Sequence, residues 1–185
     1  MHRWFSSHPI RRVNAMKAFG AGALLMILSA AASAGDDATT PWRSMTGLQG
    51  GVVVMPRAAG AQAALEWAKA PGFVVFAQTP DASQALALRE VAADEGLLAD
   101  RLYADAGPID RLPLADRCAA LILMTDARDA DLTGAARAEW LRVLAPRRGV
   151  ALIAGDPGAG LSRAALEQWA AVIPGAQIQT PGGRL

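Results

Sequence analysis

The sequence predicts a doubly wound, three-layer α/β fold with a mostly parallel sheet at its centre, and three observations predict it. First, short runs of apolar residues recur at 52–55, 73–76, 119–124 and 150–153, with a weaker one at 102–104. Strands covered by helices on both faces read as continuous apolar runs rather than alternating ones. Second, stretches of helical spacing lie between them, at 58–69, 81–95, 131–144 and 162–172. Third, the boundaries carry start and stop signals. Asp81 and Ser162 are placed to cap helix N-termini. Gly72 and Gly96 stand where helices should end, and Pro146 closes the third stretch. Strands alternating with helices give a parallel sheet whose ligands bind beyond the C-terminal ends of the strands. Trp67, Trp140 and Trp169 fall on the helices and are expected to pack them against the sheet.

The chain begins differently. Arg3, Arg11, Arg12 and Lys17 form a basic region without acids, and 19–28 (FGAGALLMIL) is apolar. That stretch is shorter than the roughly 20 residues a membrane-spanning helix needs. Small residues follow and end in Ala32-Ser33-Ala34, an A-x-A-like cleavage site. We therefore read 1–34 as an export signal cut after Ala34, which directs the protein to the periplasm or cell envelope. Met16 is an alternative start, Arg11-Arg12 leaves a twin-arginine route open, and an uncleaved anchor is the competing reading. Residues 35–41 are a polar linker, and 42–185 form the α/β domain.

Removing the signal changes the chemistry available. The chain has 18 Lys+Arg and 17 Asp+Glu. The first 34 residues hold four basic residues and no acid, which leaves 14 against 17, a net charge near −3. Nucleic-acid phosphates require a basic surface, so the charge argues against that class of partner and none is expected. Both histidines, His2 and His8, lie in the signal, and Cys118 is the single cysteine. The mature chain therefore has no internal disulfide, no zinc ligand set and no Ser-His or Cys-His nucleophile pair. Calcium or magnesium on carboxylates stays open in principle, but no stretch has an EF-hand loop's spacing and no metal is expected. Cys118 reads as a small packed residue and Tyr103 as a strand residue.

The motifs then suggest a relationship. Residues 112–127 (LPLADRCAALILMTDA), 139–150 (EWLRVLAPRRGV) and 47–54 (GLQGGVVV) resemble the fourth-strand region, the turn before the fifth strand and the approach to the first strand of class I S-adenosylmethionine (SAM)-dependent methyltransferases. The likeness is nearest to the methyltransferase-like domain that precedes PQQ-type β-propellers in exported bacterial proteins. It implies a Rossmann-like, methyltransferase-type fold with SAM as cofactor. It also implies a G-x-G-x-G loop after the first strand, where glycine lets the backbone approach the cofactor. Here Arg57, Ala59 and Ala61 stand at the three glycine positions, Met55 replaces the preceding acid, and Gly60 falls between.

By the same resemblance, Thr79 falls where an acid grips the ribose, with Asp81 two residues on. Asp105 matches the acid that contacts adenine. The cofactor positions are thus Gly60, Thr79, Asp81 and Asp105, in vestigial form, and SAM is expected not to bind. No catalytic residue is assigned. Thr125, Asp126 and Asp129 lie where a methyl acceptor would bind, and a carboxylate there is able to act as a general base. Residues 155–160 mimic a phosphate loop, but Leu161 follows where lysine is required.

The tail carries a strand at 176–179 and then a turn signal, Thr180-Pro181-Gly182-Gly183. No returning strand follows, so the fold is expected to lack its last strand and the domain to be truncated. The missing partner implied is a C-terminal β-propeller. Two functions follow: a non-catalytic structural or interaction module of a larger exported protein, or an active methyltransferase with an unknown acceptor.

Overall fold

The computed structural model describes residues 24–28, 46–58, 60–155, 160–174 and 176–179. The basic region, the cleavage site, the linker, Trp42, Ala59, residues 156–159 and the turn at 180–183 lie outside the described residues. The elements run β1 (Leu24–Leu28), β2 (Gly51–Met55), α1 (Ala61–Lys69), β3 (Phe73–Thr79), α2 (Ala82–Asp94), β4 (Leu102–Ala106), β5 (Ala119–Met124), a 3-10 turn (Asp129–Asp131), α3 (Gly134–Val143), β6 (Val150–Ile153), α4 (Arg163–Ala170) and β7 (Gln177–Gln179).

The strands form one sheet in the order β4-β3-β2-β5-β6-β1-β7, and every pairing is parallel. From β2 the chain steps outward to β3 and β4, then returns across β2 to lay down β5 and β6. The direction of winding therefore reverses between β2 and β5, and in open parallel sheets that reversal opens a crevice at the strands' C-terminal ends.

Successive strand residues point to opposite faces, and two cores result. Val53, Leu121, Leu123 and Leu152 pack on one face with Trp67 of α1 and Leu88 of α2. Val54, Ile122, Met124 and Ile153 pack on the other with Trp140 of α3 and Leu166 and Trp169 of α4. All three tryptophans are buried. Trp67 meets Phe73 edge-on at 4.9 Å, and Trp140 meets Trp169 at 5.6 Å, the separations that favour aromatic pairs. This is the doubly wound α/β fold that the apolar runs predict.

Local chemistry sets the helix starts. Asp81 accepts from the Ser83 amide at 2.8 Å, Thr133 from Ala136 at 3.0 Å and Ser162 from Ala165 at 3.2 Å. Each satisfies a donor that the first turn leaves unpaired. Two helices begin later than their spacing suggests. α1 starts at Ala61 rather than 58, because Arg57 and Ala58 belong to the loop after β2. α3 starts at Gly134 rather than 131, because Asp131 closes the 3-10 turn and Thr133 is the cap. Cys118 is partly buried beside β5. Tyr103 lies on β4, half-exposed, and its hydroxyl donates to the Ala99 carbonyl at 2.8 Å.

β1 coincides with the apolar part of the segment read as an export signal. It pairs with β6 from Leu24–Val150 to Ile27–Ile153 and with β7 from Met26–Gln177 to Leu28–Gln179. An apolar run without charges suits the middle of a sheet as well as a signal, because both settings favour uninterrupted hydrophobicity. Among the described residues no helix is long and apolar enough to cross a membrane.

Candidate functional site

β2 ends at Met55, and the chain turns through Pro56 and Arg57 directly over the reversal point between β2 and β5. Arg57 does not leave the crevice for solvent. Its Nη1 donates to both carboxylate oxygens of Asp131 at 2.8 Å, and its Nε lies 3.3 Å from Asp126 Oδ2. The three side chains are 19%, 11% and 30% exposed respectively. A guanidinium this far out of water requires counter-charges, and the loop after β5 supplies them.

Asp131 is doubly committed, since its Oδ2 also accepts from the Arg128 amide at 2.9 Å. Asp126 is less well served. Its Oδ1 is buried without a hydrogen-bond partner. Burial pushes its carboxyl above the usual carboxylate range, the Arg57 charge opposes that rise, and the Asp131 charge adds to it. Asp129 faces the other way. Its carboxylate takes the Ser162 amide at 2.7 Å and the Ser162 hydroxyl at 2.8 Å, while its own amide donates to the Gly160 carbonyl at 2.8 Å. Arg57, Asp131, Asp129 and Ser162 therefore clasp together the loops that follow β2, β5 and β6.

The clasp divides the crevice. One cleft, of about 260 Å³, lies among Met55, Gly60, Ala63, Leu123 and Thr125. The other, of about 380 Å³, lies among Thr79, Asp81, Gln84, Asp126 and Arg128. Arg57 and Ala58 line both.

The residues singled out from sequence fall on different sides of this division. Gly60 lines the first cleft and precedes α1 with an extended backbone, φ −176°. A Cβ there would meet nothing within 4 Å, so the position does not demand glycine. Thr79 and Asp81 line the second cleft. The Thr79 hydroxyl donates to Gln84 Oε1 at 2.9 Å, and the hydrogen bonds from Ser83 hold the Asp81 carboxyl below the usual range. Asp105 lines neither. It is on β4, half-exposed, where Arg89 donates to it at 2.9 Å and its Oδ1 accepts from the Ala106 amide.

Sequence reasoning missed Asp131, which it assigned only to a helix start, and missed Gln84 and Arg128. One signal was available. An arginine at a glycine position needs an anion nearby, and the three aspartates 126, 129 and 131 are the densest source at a strand end. Among the described residues no group of acids, cysteines or histidines is placed to hold a metal ion.

No protein-family model matches the sequence, and no curated protein is similar to it. Solved structures share its fold. A SAM dependent methyltransferase from Aquifex aeolicus superposes with a TM-score of 0.60 at 18% identity, over 74% of this chain and 77% of that one. A candidate S-adenosyl-L-methionine-dependent methyltransferase from Methanococcus maripaludis gives 0.55 at 18% identity, over 73% and 60%. A candidate sarcosine dimethylglycine methyltransferase from Galdieria sulphuraria gives 0.51 at 24%, over 60% and 42%. The chain thus spans less than two thirds of the length of the last two of these. The architecture is the Rossmann-like α/β fold of SAM-dependent methyltransferases, and likeness at this level of identity defines fold alone.

The residues present do not fit the cofactor that this fold implies. By the resemblance, one SAM molecule would touch both the loop at Gly60 and the strand end at Thr79 and Asp81. Arg57, tied to two carboxylates, lines the clefts at both positions.

Proposed function

We propose that this chain is an exported methyltransferase-like domain that does not use SAM and serves as a structural or interaction module of a larger protein. The likeness to domains that precede PQQ-type β-propellers suggests what the larger protein is. The observation that carries the reading is the Arg57 ion pair across the crevice. The position that requires a bare backbone for cofactor approach holds the longest cationic side chain available, and two aspartates fix it there. Export supports the same conclusion, because SAM is made and kept in the cytosol.

Two measurements test the reading. A ligand held at 100 times its dissociation constant raises stability by about 2.7 kcal/mol. Millimolar SAM should therefore leave the melting temperature of the purified protein unchanged; a clear upward shift would refute the loss of binding. N-terminal sequencing of the protein recovered from the envelope should begin at Gly35. Recovery only from the cytosol with residues 1–34 attached would refute export.

A second reading, an active methyltransferase with an unknown acceptor, draws on Asp126. Its buried, unpartnered Oδ1 and its raised carboxyl suit a general base. That reading requires methyl transfer that is lost in Asp126→Asn.

A further inference from the structure

We propose that Arg57 is an intramolecular plug, a cation of the protein's own held where an organic cation would otherwise bind, and that its removal reopens one continuous crevice. Three observations converge on this residue.

The first is position. Arg57 follows β2 at the point where the winding of the sheet reverses, the place where open parallel sheets take ligands. The second is the division it makes. The two clefts share Arg57 and Ala58 as their common wall. Trimming the side chain to hydrogen removes the one long side chain common to both walls and leaves the Ala58 backbone, whose amide donates to the Gln78 carbonyl at 2.8 Å. The third is charge. The guanidinium answers Asp131 through two 2.8 Å hydrogen bonds and Asp126 through a 3.3 Å contact. Without it Asp126 and Asp131 lose their shared counter-ion, Arg128 is the cation that remains near Asp126, and Asp126 keeps its unpartnered buried oxygen. Such a space favours a small molecule that carries a positive charge. Arg128 lines the second cleft and limits the preference to ligands that keep their charge near Asp126 and Asp131.

The plug is held unequally. Asp131 grips it with both oxygens and is itself pinned by the Arg128 amide. Asp126 contributes one longer contact and bears the desolvation. The Asp131 end therefore fixes the side chain, and the Asp126 end is the part of the pocket that remains unsatisfied.

This inference rests on the reading that the native chain leaves SAM unbound, and the experiment separates the two. The full-length wild type and its Arg57→Gly variant are titrated by calorimetry with SAM, whose sulfonium is cationic, and with adenosine, which is neutral. The variant should bind SAM at least tenfold more tightly than wild type and more tightly than it binds adenosine. If wild type itself binds SAM at micromolar concentration, the proposed function fails. If wild type is silent and a folded Arg57→Gly is equally silent, the plug is refuted. A variant that binds both ligands alike refutes the charge argument.

A measurement on wild type covers the case in which the variant does not fold. The Arg57 Nη1–H should give a nitrogen-resolved proton signal protected from water exchange, lost on Asp131→Ala. An Nη1–H that exchanges as fast as those of exposed arginines would overturn the proposal.

Discussion

Replacing Asp131 by alanine removes the strong end of the clasp while leaving the core untouched. Arg57 Nη1 loses both of its 2.8 Å acceptors, and the Arg128 amide loses its own. An exposed ion pair contributes about 0–1 kcal/mol, whereas breaking a fully buried one costs about 3–5 kcal/mol. With Asp131 11% and Arg57 19% exposed, this pair lies nearer the buried limit. Solvent reaches enough of it to discount the cost to about 2–3 kcal/mol. In a domain of this size each kcal/mol moves the melting temperature by roughly 2–4 °C, so Asp131→Ala should melt about 5–10 °C lower. A double-mutant cycle with Arg57→Ala isolates the pair itself. The coupling should exceed about 1 kcal/mol, because residues sharing a network do not add independently. Circular dichroism melts of the four proteins supply the numbers. Single-variant losses that add within error, or an Asp131→Ala melt within about 1 °C of wild type, would refute the clasp.

Two further predictions concern Asp126 of the same cluster and the strand β1. Burial raises the Asp126 carboxyl, so the folded state takes up a proton at a pH where the unfolded chain does not. Stability from this group therefore rises as pH falls through its folded value towards the unfolded value near 3.9. Asp126→Asn removes that gain, and urea titrations should show the variant's advantage over wild type to be larger at pH 7 than at pH 4.5. Equal differences at both would show Asp126 to be an ordinary surface carboxylate. Glu139, lowered chiefly by its hydrogen bonds from Arg142, contributes with the opposite sign, its stabilisation disappearing as the pH falls. Removing residues 1–34 takes β1 from between β6 and β7, the strands it pairs with on either side. The amides of 177–179 should then exchange with solvent far faster than in the full chain; unchanged protection would mean that β7 is held by something other than β1.

Much of the architecture is legible in the sequence because it depends on local patterns. Runs such as 119–124 are apolar on both faces only if helices cover both, and the caps at Asp81 and Ser162 need no information from beyond one turn. The site is less legible because its decisive contact spans 74 residues, from Arg57 to Asp131. From sequence, Arg57 at a glycine position suggests obstruction; the carboxylates that hold Arg57 become visible only when β2 and β5 lie side by side. Asp105 illustrates the converse. Its place late in β4 matches a ligand-contacting acid, yet sequence position does not reveal that Arg89, one helix earlier, is in reach of its carboxylate. The segment 24–28 shows how one composition serves two settings. Uncharged and apolar, it reads as the heart of an export signal and lies as a strand in the sheet, and a single molecule cannot use it for both at once.

The central claim is that Arg57 denies this fold its cofactor. Calorimetric titration of the wild-type protein with SAM tests it most directly. The account predicts no binding heat up to millimolar ligand, and saturable binding at micromolar concentration would contradict it.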